Sequence, residues 1–242
     1  MRLDKAVSLA GMTRTEAKKA IAAGRVRVNS QVARDPGQQV NLSEITIDGA
    51  ASAAMEEIYI MMNKPAGVIT ATEDKRLPTV MDLLPETLRR RKIGPIGRLD
   101  RDVTGLVLLT TDGQMAHRLI SPRWKAEKQY RALCEGCLDA QDIASFAAGI
   151  ALSDFTAQPA RMIILESGLE SSLADVILTE GKFHQVKRMF AAIQHPLIQL
   201  KRLRIGCITL DTGLGPGEYR CLSLEEIASL REMCGLTDDK NI

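Results

Sequence analysis

The sequence predicts an α+β protein: a small N-terminal α/β module followed by a larger mixed domain built on a mostly antiparallel sheet. Three observations carry this. A basic helix and short strands fill the first fifty residues, a run of small residues (Ala50 to Ala54) follows, and from Ile58 short apolar strands alternate with amphipathic helices without a regular βαβ repeat. The expected boundaries are a first domain over 1–50, a linker over 51–57 and a second domain over 58–242.

In chain order, residues 2–10 have apolar residues at helical spacing. Thr13 and Glu16 form a T-x-x-E capping box for a helix that runs through Ala17 to Ala23 and stops at Gly24. Arg25 to Asn29 alternates like a strand and turns near Asn29-Ser30, and Ile45 to Gly49 is a second short strand. Ile58 to Met62 reads as a buried strand that stops at Asn63-Lys64-Pro65-Ala66-Gly67 and resumes over Val68 to Thr70. Further helices are expected over 112–120, 139–149, 184–194 and 223–234, and further strands over 105–111, 128–134, 161–166, 173–179 and 197–203.

The net charge of +2 conceals segregation. Residues 1–34 hold eight Lys/Arg against Asp4 and Glu16; 89–101 hold six against Asp100; 118–131 hold five against Glu127; 182–204 hold six and no acid. The acids concentrate in 132–181 and 205–242. Four basic blocks imply one basic face, and a basic face takes a polyanion. No apolar run reaches membrane-spanning length and no leader pattern opens the chain, which leads to the expectation of a cytoplasmic protein. Five widely spaced cysteines make no disulfide framework, and His117, His184 and His195 share no metal-ligand spacing. Cys134-x-x-Cys137 lacks a second pair for zinc and reads as a strand end and turn. Phosphate-binding glycine motifs are absent, so no cofactor is expected.

The densest candidate chemistry lies in Gly97-Arg98-Leu99-Asp100-Arg101-Asp102-Val103-Thr104-Gly105, before the apolar run Leu106 to Leu109. A carboxylate between Arg98 and Arg101 can serve as nucleophile or base, or as a plain turn cap. Asp100-x-Asp102-x-Thr104 also fits the loop of magnesium-dependent phosphatases. That reading wants an unbroken strand before the loop, where Gly94 and Pro95 stand, and a later acidic pair, where only the tail pair Asp238-Asp239 is found. Lys128 and Tyr130 alternate onto one strand face, where a tyrosine packs or stacks under a base. In 180–190, Val186, Met189 and Phe190 make an apolar stripe, while His184, Lys187 and Arg188 share the other face of one helix. Cations near a helix start need an anionic partner.

Arg2-Leu3-Asp4, Thr13-Arg14, Ala17, Ile21, Gly24, Val26, Val28-Asn29 and Ile45 to Gly49 resemble the S-four RNA-binding domain. That likeness implies that Arg2, Lys5, Arg14, Lys18 and Arg25 lie near RNA phosphates. Asn63-Lys64-Pro65-x-Gly67, Gly97 to Asp100 with Thr104 to Thr110, Lys128-x-Tyr130 and Gly181 to Phe190 resemble, in order, the motifs of pseudouridine synthases of the RsuA group. Phe183 to Ala192 and Gly215 to Arg220 are similar to the branch that acts on 16S rRNA, the uridine-516 class. The resemblance implies Asp100 as catalytic aspartate, Tyr130 stacked on the target uracil and Lys187 paired with Asp100, with Arg188 as the alternative partner. It implies Arg98 filling the gap left by the flipped base, and His184 and Lys64 among the substrate contacts. It further implies no cofactor or metal, no membrane association, a monomer, and 16S rRNA or a small-subunit assembly intermediate as partner. The alternatives are a large-subunit rRNA synthase and a non-catalytic RNA-binding or ribosome-assembly protein, which would not need Asp100, Tyr130 and Lys187 to converge.

Overall fold

A computed structural model describes residues 1–8, 12–41, 44–51 and 57–236, which form two compact units. The first comprises 1–58 with 84–94 and 110–112. Helices α1 (Leu3–Ser8) and α2 (Arg14–Ala22) pack on a four-stranded sheet of β1 (Val26–Val28), β2 (Gln31–Val32), β3 (Ile45–Ile47) and β4 (Ala50–Ala51), in the order β2-β1-β3-β4. The capping box forms as the sequence predicts: Thr13 Oγ1 accepts from Glu16 N at 3.1 Å and Glu16 Oε2 accepts from Thr13 N at 2.6 Å. Asn29 and Ser30 both adopt positive φ (48° and 69°), the conformation a two-residue hairpin loop requires between β1 and β2. Leu3, Val7, Ile21, Val26 and Ile45 are fully buried and close the core. A short helix, α3 (Glu86–Arg89), belongs to the same unit.

One expectation changes in this unit. Ala50 and Ala51 pair with Ile47 and Thr46, so the sheet continues into residues expected to open the linker; small side chains do not prevent backbone pairing at a sheet edge. Residues 52–56 of that linker, Leu9 and Ala10 of the first expected helix, and the tail pair Asp238-Asp239 lie outside the described residues.

The second unit comprises 59–83, 95–109 and the chain from Gly113 on. Its strands are β5 (Tyr59–Lys64), β6 (Gly94–Ile96), β7 (Thr104–Thr110), β8 (Lys128–Glu135), β9 (Arg161–Ser167), β10 (Ser171–Leu178), β11 (Leu197–Ile205), β12 (Ile208–Thr209) and β13 (Tyr219–Cys221). They form one sheet in the order β13-β5-β7-β11-β8-β10-β9, with β12 on β11 and β6 on β7. Helices α4 (Gly113–Ile120), α5 (Ala140–Ala148), α6 (Gln185–Ala192) and α7 (Leu224–Met233) complete it. Pairing is antiparallel from β11 through β8 and β10 to β9 and between β13 and β5, and parallel where β11 meets β7.

The parallel contact explains Gly105. Its φ is +97°, and a Cβ there would stand 2.2 Å from the Arg202 carbonyl oxygen, so only glycine lets β11 approach. Val68 to Thr70 does not resume a strand: Ile69 makes one isolated bridge, to Thr79, because the glycine turn at Gly67 redirects the chain. Gly94–Ile96 does pair with β7 despite Pro95, as a short edge segment can. Cys134 is buried at the penultimate position of β8, and Cys137 is exposed beyond the turn at Gly136.

Candidate active site

The loop between β6 and β7 carries Asp100, and the motif at the end of β5 clamps it. Thr70 Oγ1 accepts from Leu99 N at 3.1 Å and donates to Leu99 O at 3.0 Å. Gly67 N donates to Arg101 O at 2.8 Å, and Arg101 Nε returns a bond to Gly67 O at 3.2 Å. Beneath them Lys64 is fully buried. Its ammonium donates to the carbonyls of Pro65 (2.9 Å), Arg101 (3.2 Å) and Val103 (2.8 Å), which accounts for all three of its N–H groups. This corrects the expectation of a substrate-contacting Lys64: RNA cannot reach it, and its charge serves the loop backbone. Burial pushes its pKa down to about 8. Asn63 ties the same strand end to the Gly215 to Glu218 turn, its side-chain amide donating to Leu214 O at 2.8 Å and its carbonyl accepting from Gly217 N at 2.7 Å.

Asp100 is about one-third exposed, and two basic groups from the other side of the cleft meet it. His184 Nε2 lies 3.4 Å from Oδ1 and Lys187 Nζ lies 3.4 Å from Oδ2. Lys187 bonds more closely to Asp102, at 2.6 and 2.8 Å, and its ammonium holds the Asp102 carboxyl below the usual carboxylate range. The expected Lys187–Asp100 pair is therefore one arm of a three-centre arrangement. The arginines flanking Asp100 in sequence make no ion pair with it: Arg101 turns to Gly67 and Arg98 stands exposed at the rim.

Arg188 does not serve as an alternative partner for Asp100. It pairs with Asp154, reaches Ser153 Oγ at 3.1 Å, and lies 5.1 Å from the centre of the Phe155 ring, over which Lys182 Nζ also sits at 3.7 Å. The expectation that His184 rides on the helix is corrected as well. It adopts a left-handed conformation (φ 48°) as the residue before α6, because buried Gln185 starts the helix by accepting from Lys182 N at 2.9 Å. Cations at this helix start do meet carboxylates, in Asp100, Asp102 and Asp154.

Tyr130 is buried on β8 and lines the same cleft as Arg98, Asp100, His184 and Lys187, with Leu178 and Leu200 at its floor. The cleft is small, about 70 Å³. Phe183, two-thirds exposed, stacks on the His184 ring with centroids 3.8 Å apart at the rim. Sequence reasoning missed the Ser153 to Phe155 loop, Thr70 and Arg202. Only Arg202 left a trace, as a charge that alternates with Leu200 onto the inward face of β11. In the first unit, Arg2 and Arg14 both pair with buried Asp4, at 3.2 and 2.9 Å, and Arg25 pairs with Asp48, while Lys5 and Lys18 are exposed. Among the described residues no cluster of His, Cys, Asp and Glu is arranged to hold a metal ion, and no helix is long and apolar enough to cross a membrane.

A carboxylate beside a lysine, a histidine and a tyrosine, on the loop that leads into a central strand, is an arrangement fit for acid–base or nucleophilic chemistry. The RNA pseudouridylate synthase family model matches residues 58–192, and the S4 domain model matches residues 1–45. The chain belongs to the RNA pseudouridylate synthase family, which makes it an isomerase. It is 40% identical to an uncharacterized RNA pseudouridine synthase of Bacillus subtilis over 96% of this chain and 99% of that one. It is 39% identical to ribosomal small subunit pseudouridine synthase A of Escherichia coli over 95% and 100% of the two chains. A crystal structure of a pseudouridylate synthase superposes with a TM-score of 0.68 at 36% identity, covering 95% of this chain and 99% of that one.

Proposed function

We propose that this enzyme isomerises one uridine of 16S rRNA, of the uridine-516 class, to pseudouridine, working in the cytoplasm on the RNA or on a small-subunit assembly intermediate. The observation that carries the reading is the convergence of Asp100, Tyr130 and Lys187 on one cleft. The similarity to small-subunit synthases over nearly the whole chain supports the choice of RNA. The proposed division keeps a first domain over 1–50, carried on to Ala51 by β4, a linker up to 57 and a second domain over 58–242, with the first domain gripping RNA through Lys5 and Lys18 and through the outward faces of Arg2, Arg14 and Arg25.

In this reading the target nucleotide leaves its stack, at a cost of a few kcal/mol, and its uracil lies against the Tyr130 ring. Asp100 then assists cleavage between ribose C1′ and uracil N1, by attack on C1′ or by taking a sugar proton. The base turns, C1′ bonds to C5, the C5 hydrogen leaves as a proton and N1 gains one. No electrons are exchanged. Lys187, shared between Asp100 and Asp102, steadies the charge as it shifts, and His184 holds the opposite carboxylate oxygen. Arg98, at the rim, enters the gap left by the base, and Arg188 fixes the Phe155 loop beside the cleft.

The test is to map pseudouridines in 16S rRNA from cells with and without this protein. Loss of a single small-subunit pseudouridine is expected. Loss confined to large-subunit rRNA, or no loss, contradicts the reading.

A further inference from the structure

Beside the cleft of Asp100 lies a second cavity of about 100 Å³ that shares Arg98, Tyr130 and Gly181 with it. Its charge is one-sided. Arg98, Lys128 and Arg202 line it, and no carboxylate does. In the neighbouring cleft Lys182, His184 and Lys187 each meet an acid, Glu180 or Asp100; here the acid is lacking.

Arg202 makes the imbalance acute. It is 4% exposed, on β11, directly opposite Tyr130 of β8. Its Nε donates to Leu106 O at 2.8 Å, but one terminal nitrogen, Nη2, is buried with no hydrogen-bond partner. Lys128, on the same face of β8 as Tyr130, reaches Thr179 O at 3.4 Å, and burial beside Arg202 depresses its pKa. A buried charged donor without an acceptor costs more than a neutral one, and such groups point to a partner that arrives with the substrate.

We infer that this cavity is an oxyanion subsite that receives a phosphodiester of the RNA strand next to the target uridine. RNA carries its ground-state charge on phosphates, and a phosphate's two unbridged oxygens suit a guanidinium fork. Its lining supplies cationic donors and no carboxylate, which suits an anion and not a neutral base. It adjoins the uridine cleft, and a phosphate lies one sugar away from its base. The inference rests on the reading of the first cleft as the uridine site.

Inorganic phosphate tests the subsite without RNA. Calorimetric titration of the full-length protein at constant ionic strength should show one saturable phosphate site. That site should be lost in Arg202→Met and in Lys128→Met, weakened in Arg202→Lys, and kept in Arg161→Met, which alters an exposed arginine of β9. Circular dichroism confirms that each variant is folded, and Lys128→Met, away from the parallel strand contact, decides if Arg202→Met is not. Equal phosphate affinity in wild type and in both methionine variants overturns the inference. With RNA that the wild type converts, Arg202→Met should raise the Kd about tenfold and reduce the salt slope by about one, with kcat at saturating RNA nearly kept. A fall in kcat with unchanged Kd and salt slope instead assigns the cavity to the base and overturns the phosphate. Should the wild type convert no 16S RNA, the uridine reading fails and the phosphate titration still decides the subsite.

Discussion

Lys187 holds two aspartates at once: its ammonium lies 2.6 Å from Asp102 and 3.4 Å from Asp100. Asp102 is largely exposed, so its ion pair is worth little by itself, whereas Asp100 faces the cleft. In the proposed reaction Asp102 aims the lysine and Asp100 draws on its charge. Lys187→Met should reduce kcat by about 10²-fold, the scale of losing one positioned charge partner. Asp102→Asn should reduce it less than about tenfold. Single-turnover assays of both variants at saturating RNA check this, and equal losses would contradict the division of roles.

Lys64 gives the site a pH limit. Its pKa is about 8 in the folded protein against 10.5 ordinarily. Below pH 8 both folded and unfolded chains carry the proton, and this group adds nothing to the pH dependence of stability. Between about 8 and 10.5 the unfolded chain binds it more, so this lysine makes stability rise with pH. The same deprotonation removes a donor from the carbonyls of Pro65, Arg101 and Val103 and slackens the Asp100 loop. Activity should therefore fall above pH 8 while the global unfolding free energy holds or rises. Parallel pH profiles of rate and of urea denaturation check it.

Lys64→Met removes the donor at every pH. The Pro65 and Val103 carbonyls then lose the lysine donor and Arg101 O keeps only Gly67 N, which should cost roughly 2–4 kcal/mol, partly offset by no longer burying a charge. Urea midpoints measure the loss, and an unchanged midpoint would contradict the clamp.

Gly105→Ala should destabilise by about 3 kcal/mol, because β11 must retreat from the new Cβ and the residue keeps a φ of +97°. The same movement displaces Arg202 and Tyr130, so residual activity should fall further than folding. Denaturation and tritium release on the same preparation separate the two effects.

What the sequence discloses here is what short-range chemistry determines. The Thr13–Glu16 box, the Asn29-Ser30 turn and the stripe of Val186, Met189 and Phe190 follow from neighbours three or four residues apart, and all three form. The ordered motifs likewise identify the family. Lys64 is the counterexample: a lysine beside Pro65 and Gly67 reads as a loop cation, and only carbonyls contributed by Arg101 and Val103 make its burial possible. Arg188 misleads for the same reason, since its carboxylate sits 34 residues away in a loop with no local signal. The orphaned donor of Arg202 depends on which strands β11 joins, and the sequence of β11 alone says nothing of that.

The central claim is that Asp100 performs the chemistry. Asp100→Asn keeps the size and removes the charge, and its partners Lys187 and His184 remain beside Asp102 and the cleft. Tritium release from carbon-5-labelled uridine in 16S transcript should fall to background in this variant while RNA binding persists. Release at a rate comparable to wild type would contradict the assignment.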